Sequence, residues 1–124
     1  MTRFGSFRDG HPRLTVLLPS QDGPLEIEFI VDTGFDGDLA LPGSVARQLG
    51  GQPSGFTKRA MADGSVLVCP FYQLVIEDAE QDEEPKVAQV LILPGNPLLG
   101  TAFLRDHLLQ AELSDGGEVF AEPM

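Results

Sequence analysis

Phe29-Ile30-Val31-Asp32-Thr33-Gly34-Phe35-Asp36-Gly37-Asp38-Leu39-Ala40-Leu41-Pro42 is the stretch on which the fold turns. It begins as the end of an apolar run, sets an acid directly after it, and then bends at a glycine. A carboxylate in that position sits at the rim of a core, half out of water, where its protonation can be tuned for acid–base work. Gly34 lets the backbone turn sharply and approach a neighbour closely, and the Thr33 hydroxyl can tie the turn down. Taken alone, Asp-Thr-Gly also makes an ordinary strand-ending turn. The flanking segments have to decide.

Upstream, residues 14–18 and 25–31 are apolar or alternating runs separated by Pro19-Ser20-Gln21-Asp22-Gly23-Pro24, which predicts a β-hairpin. Leu25, Ile27 and Phe29 alternate with Glu26, Glu28 and Ile30, so one face is expected to be buried. Downstream, Leu39-Ala40-Leu41 is a short apolar segment, and residues 44–49 predict a short helix capped by Ser44 and ended by Gly50-Gly51. Residues 56–61 and 66–76 flank Ala62-Asp63-Gly64-Ser65, a strong hairpin signal. Residues 77–85 hold six acids in nine positions and predict a solvated loop. Residues 86–93 read as a strand broken by Pro94-Gly95-Asn96-Pro97. Leu98-Leu99-Gly100 is expected to open a short helical stretch reaching Asp106, and residues 108–113 and 118–121 surround Asp115-Gly116-Gly117 as a last hairpin. The expected architecture is mostly β with one or two short helices, in a single domain over residues 1–124 with its core in residues 14–121.

Charge and cysteine content exclude several classes of function. The chain has 19 acidic and 8 basic residues, a formal net charge of −11. Nucleic-acid binding depends on Lys and Arg neutralising phosphates, and anionic membrane surfaces demand the same, so neither partner is expected. Cys69 is the only cysteine, which removes an intrachain disulfide and any multi-cysteine zinc site. No run resembles a signal peptide or approaches the ~20 apolar residues of a membrane span. The expectation is a soluble, cytoplasmic protein.

With these elements in order, residues 29–42 resemble the active-site region of aspartic proteases, in which two apolar residues precede Asp-Thr-Gly. Leu98-Leu99-Gly100 resembles that family's second signature, which lies beneath the catalytic turn, and the Asp63-Gly64 hairpin falls where the family places its flap. The chain is similar to the single-lobed, retroviral-type (retropepsin-like) group, and closest to its prokaryotic members, which share the Phe-then-acid continuation seen in Phe35-Asp36. The resemblance implies an acid-protease β-barrel acting as a homodimer on peptide substrates, without metal or other cofactor. It implies Asp32 as the catalytic residue, one copy from each subunit, because only one Asp-Thr-Gly is present. Thr33 and Gly34 would support the carboxylates. Asp36, Met61, Ala62, Asp63 and Gly64 would contact substrate, and Leu98, Leu99 and Gly100 would form the structural motif below the site. Phe35 stands where many members carry a small residue.

Other readings of the same residues compete. Asp32, Asp36 and Asp38 around Gly37 could form a calcium loop, but in the EF-hand pattern the third and twelfth positions would fall on Gly34 and Gly43. Asp38 is expected to be solvated. Gly51-Gln52-Pro53-Ser54-Gly55 misses the nucleophile-elbow spacing by one position. His11 and His107 lack ligand spacing, Cys69 reads as a buried or strand-edge apolar residue, and Arg105 with Asp106 reads as an interface or surface pair. The rival to an enzyme is a non-catalytic dimerisation or peptide-binding module of the same fold. An intact Asp-Thr-Gly argues against that rival, since a structural role would tolerate Asn or Ser at position 32. A small β-barrel ligand-binder would leave the order of the motifs a coincidence.

Overall fold

The computed structural model of the protein describes residues 2–77 and 85–124. Its strands are β1 (Arg3–Arg8), β2 (His11–Leu18), β3 (Leu25–Val31), β4 (Leu39–Leu41), β5 (Gly55–Ala60), β6 (Val66–Ile76), β7 (Lys86–Ile92), β8 (Leu98–Leu99), β9 (His107–Ala111) and β10 (Glu118–Pro123). The helix α1 (Gly43–Ala46) runs into a 3₁₀ turn at Arg47–Leu49. The strands form one sheet in the order β5-β6-β7-β4-β8-β3-β2-β1-β10-β9.

The pattern of burial follows from the pairing. β2 and β3 form the expected antiparallel hairpin, with Leu14, Val16 and Leu18 turned into the core and Leu17 turned out. At its far end β3 pairs in parallel with β8, and β4 pairs in parallel with β7 and antiparallel with β8. Strands in such a position are covered on both faces and read as continuous apolar runs. Accordingly Phe29, Ile30 and Val31 are all buried, as are Leu39, Ala40 and Leu41. Fully burying a side chain of this size contributes about 1.5–3 kcal/mol. The segment between β3 and β4 is therefore anchored at both ends by some of the most deeply buried residues of the chain.

Several expectations are corrected. The sheet is not closed into a barrel: β5 and β9 are its two edges. The β5–β6 hairpin leads to a tip whose residues Met61 to Ser65 are exposed, and among the described residues β5 pairs with β6 alone. Ser44 does not cap the helix. The chain enters from Pro42, whose carbonyl accepts from Val45 and Ala46, and whose φ of −68° suits a helix entry without a side-chain cap. No helix follows Gly100. Leu98 and Leu99 are committed to strand pairing, and residues 101–106 form isolated turns that stop at Asp106, whose φ is +63°. β1 was unexpected; its sequence mixes polar and apolar residues without a period. The signal lay in the turn, because Asp9 and Gly10 have φ of +53° and +80°, the left-handed pair that Asp-Gly supplies to a two-residue hairpin. The acidic loop expected at residues 77–85 lies almost wholly outside the described residues. Among the described residues no helix is long and apolar enough to cross a membrane.

Candidate active site

Asp32 leaves the end of β3 and enters a tightly bonded turn. Its own amide donates to the Leu99 carbonyl at 2.9 Å, and the Phe35 amide donates back to the Asp32 carbonyl at 3.1 Å. The Gly34 amide donates to Asp32 Oδ1 at 2.9 Å, which fixes the plane of the carboxylate. The Asp32 side chain is half-buried, whereas Thr33 and Gly34 are exposed at the apex.

Leu98, Leu99 and Gly100 run directly beneath this turn. The Gly100 amide donates to the Asp38 carbonyl at 2.8 Å, Thr101 to the Phe35 carbonyl at 2.9 Å, and Ala102 to the Gly37 carbonyl at 3.2 Å. The two segments approach so closely that a Cβ on Gly100 would lie 2.2 Å from the Gly37 carbonyl oxygen and 2.7 Å from that of Phe35. Only glycine fits there. Asp38 is not a solvated acid as expected: it is half-buried, and its Oδ2 accepts from the Gln89 amide of β7 at 3.0 Å. Both ends of the loop between Asp32 and Leu39 are thus bonded to neighbouring strands.

Phe35 is buried in a second apolar cluster with Ala40, Cys69 and Leu91, against which Leu67, Phe71, Leu93 and Leu98 pack. This cluster joins the Asp32 turn to the root of the β5–β6 hairpin. Burial pushes the Cys69 thiol up, away from the reactive thiolate. The hairpin and the turn line an open cleft of about 640 Å³. Asp32, Gly34 and Asp36 line one side of it, Arg59, Met61 and Ala62 the other. Asp63 and Gly64, also expected near substrate, are at the hairpin tip and not in the lining. There the Gly64 amide donates to the Met61 carbonyl, and Asp63 Oδ1 accepts from the Ser65 amide at 2.8 Å and its hydroxyl at 2.6 Å. These bonds hold the Asp63 carboxyl below its ordinary range.

Lys58, Arg59, Ala60 and Leu93 also line the cleft and escaped the sequence reading as site residues. Arg59 Nη2 donates to Asp36 Oδ1 at 2.5 Å, and its guanidinium stands 5.7 Å from the centre of the Phe35 ring. The hydrogen bond and charge of Arg59 hold the Asp36 carboxyl below its ordinary value. Among the described residues no group of three His, Cys, Asp or Glu is placed to hold a metal ion.

No protein-family model and no curated protein sequence matches the chain. The structure is similar to the crystal structure of a retropepsin-like aspartic protease from Rickettsia conorii, with a TM-score of 0.54 and 17% sequence identity, over 98% of this chain and 93% of that one. The chain has a retropepsin-like fold.

Proposed function

We propose that the chain is an aspartic endopeptidase in which two copies meet across a two-fold axis, each supplying one Asp32. The observation that carries this reading is the state of the two carboxylates in the cleft. Asp32 is half-buried, oriented by the Gly34 amide, and faces the space under the hairpin. Asp36 is engaged by Arg59, whose hydrogen bond and charge lower its pKa. Peptide hydrolysis by direct attack of a water, with neither a metal nor a nucleophilic side chain, uses two acids holding one proton between them. A single chain offers one acid for that role, so the second comes from another copy. The exposed Thr33 at the apex of the turn is available to meet its own counterpart there.

In such a pair the ionised Asp32 takes a proton from a water held between the two acids as the water oxygen attacks the scissile carbonyl carbon. The protonated Asp32 gives its proton to the carbonyl oxygen, forming a gem-diol. When the C–N bond breaks, a proton passes to the departing nitrogen, the products are an acid and an amine, and the pair again holds one proton. An extended peptide would lie in the cleft below the hairpin, in a strand-like binding mode with main-chain hydrogen bonds. Asp36 would contribute a further contact to the substrate backbone.

Asp32→Asn keeps the shape of the side chain and removes its capacity to share a proton. Cleavage of a denatured protein or peptide library by wild type is expected to disappear in the variant, with the circular dichroism spectrum and the sedimentation coefficient unchanged. Equal cleavage by both proteins would remove Asp32 from the mechanism. Peptide binding without cleavage by the wild type would make the chain a binding module.

A further inference from the structure

Arg59 is the penultimate residue of β5, opposite Leu67 of β6, on the face of the hairpin that also carries Thr57 and Cys69. It reaches out of the hairpin to the segment that follows the Asp-Thr-Gly turn, where it makes two contacts of different kinds with adjacent residues. One is the charge-assisted bond to Asp36, the other the stack over Phe35. Phe35 is itself fixed: it is buried, its ring lies against Gly37, where a Cβ would come within 2.7 Å of it, and its cluster includes residues from β4, β6 and β7. Thus the Arg59 side chain spans from a hairpin arm with an unpaired outer edge to a platform set into the core.

We infer that Arg59 is the positioning residue of this cleft: by docking on Phe35 and Asp36 it sets the height of the β5–β6 hairpin above Asp32. The guanidinium suits the task because its plane can stack on the ring while its edge meets the carboxylate, which a lysine ammonium cannot do at once. The docking does not require a second chain, so the gap is set before any peptide enters. Its kinetic consequence rests on the reading of the cleft as a peptide-cleaving site. A hairpin already at the right height loses less freedom when it closes on an extended peptide, so Arg59 should lower KM more than it raises kcat.

The test reads the hairpin directly. In backbone amide hydrogen exchange on the full-length protein, Arg59→Ala should speed exchange of the amides of β5 that pair with β6 by about three- to thirty-fold, the sum of a surface ion pair and a cation–π contact. Asp36→Ala should reproduce part of that change, and the double variant should be no faster than Arg59→Ala. Arg59→Lys should fall between wild type and Arg59→Ala. Against fluorescein-labelled casein, Arg59→Ala should raise KM several-fold with a smaller change in kcat. Unchanged exchange in Arg59→Ala, or independent additive effects of the two substitutions, would overturn the inference. Altered exchange in a protein whose wild type cleaves nothing would keep Arg59 as the positioning residue and remove the protease reading. Cleavage by a wild type whose Arg59→Ala variant exchanges normally would do the reverse.

Discussion

Asp36 and Asp38 stand two positions apart on one loop and bond to different strands, and only Asp36 lines the cleft. Asp38 bonds inward to the Gln89 amide, and Asp36 bonds outward to Arg59. Asp38→Ala leaves the Gln89 amide without its acceptor in a half-buried place, which should lower stability by about 1–3 kcal/mol. Asp38→Asn retains an acceptor oxygen and should cost less; urea unfolding of the three proteins makes the comparison. For Asp36 the sign of the pH dependence follows from its lowered pKa. A carboxyl depressed in the folded state contributes stability above its unfolded value and loses it as pH falls through the folded one. The Arg59 contact should therefore persist through mildly acidic pH and weaken only below the ordinary value of 3.8. A carbon-13 titration of the Asp36 carboxyl should show a midpoint under 3.8 in the wild type and a higher one in Arg59→Ala. Asp32 was legible in the sequence because its cue is local, an acid after an apolar strand and before glycine. Arg59 was not, because 23 positions separate it from Asp36 and no periodicity marks a pairing made through folding.

The elements were legible where one face or a turn residue carries the information. The β2–β3 hairpin announces itself by alternation and by the turn between the strands, and the β5–β6 and β9–β10 hairpins by Asp-Gly pairs. β8 was misread because two leucines and a glycine before Thr101-Ala102-Phe103-Leu104 are the same string whether they open a helix or lie as a two-residue strand. Pairing with β3 and β4, distant in sequence, decides it. The tightness of that crossing gives a prediction at this scale. Gly100→Ala places a methyl group 2.2 Å from the Gly37 carbonyl oxygen, a backbone atom that cannot swing aside. Overpacking of this kind costs about 1–3 kcal/mol or more, and the displaced loop should carry Asp32 with it, so activity should fall further than stability. Gly43→Ala should do the opposite. Gly43 opens α1, its added Cβ would meet nothing nearer than 3.9 Å, and its φ is not positive. There the loss of unfolded-state freedom should raise stability by about 0.4–1 kcal/mol with activity unchanged. Thermal unfolding of both variants checks the pair of signs.

For the molecule as a whole, the proposed function sets charge against assembly. Each chain carries a formal −11, and two copies placed around a shared axis repel. Screening reaches about 30 Å at 0.01 M salt and about 10 Å at 0.1 M, so adding salt over that range should remove most of the repulsion and tighten the dimer. Salt acts in the opposite sense on the Arg59–Asp36 bond, an attraction between groups that are 31% and 84% exposed. The two effects separate by protein concentration. In dilute solution, where assembly limits the rate, activity per chain should rise with salt. In concentrated solution, where every chain is paired, casein cleavage below KM should fall slightly as the hairpin loosens. Arg59→Ala should abolish the second trend and leave the first intact, because it removes the local attraction and makes the chain only one unit more negative. Sedimentation equilibrium across the salt series supplies the dissociation constant independently of activity. A dimer that loosens as salt is added would mean that attractive ion pairs across the interface outweigh the net charge. A fully active monomer at every concentration would end the two-copy reading of Asp32, since no single chain could then lack its second acid.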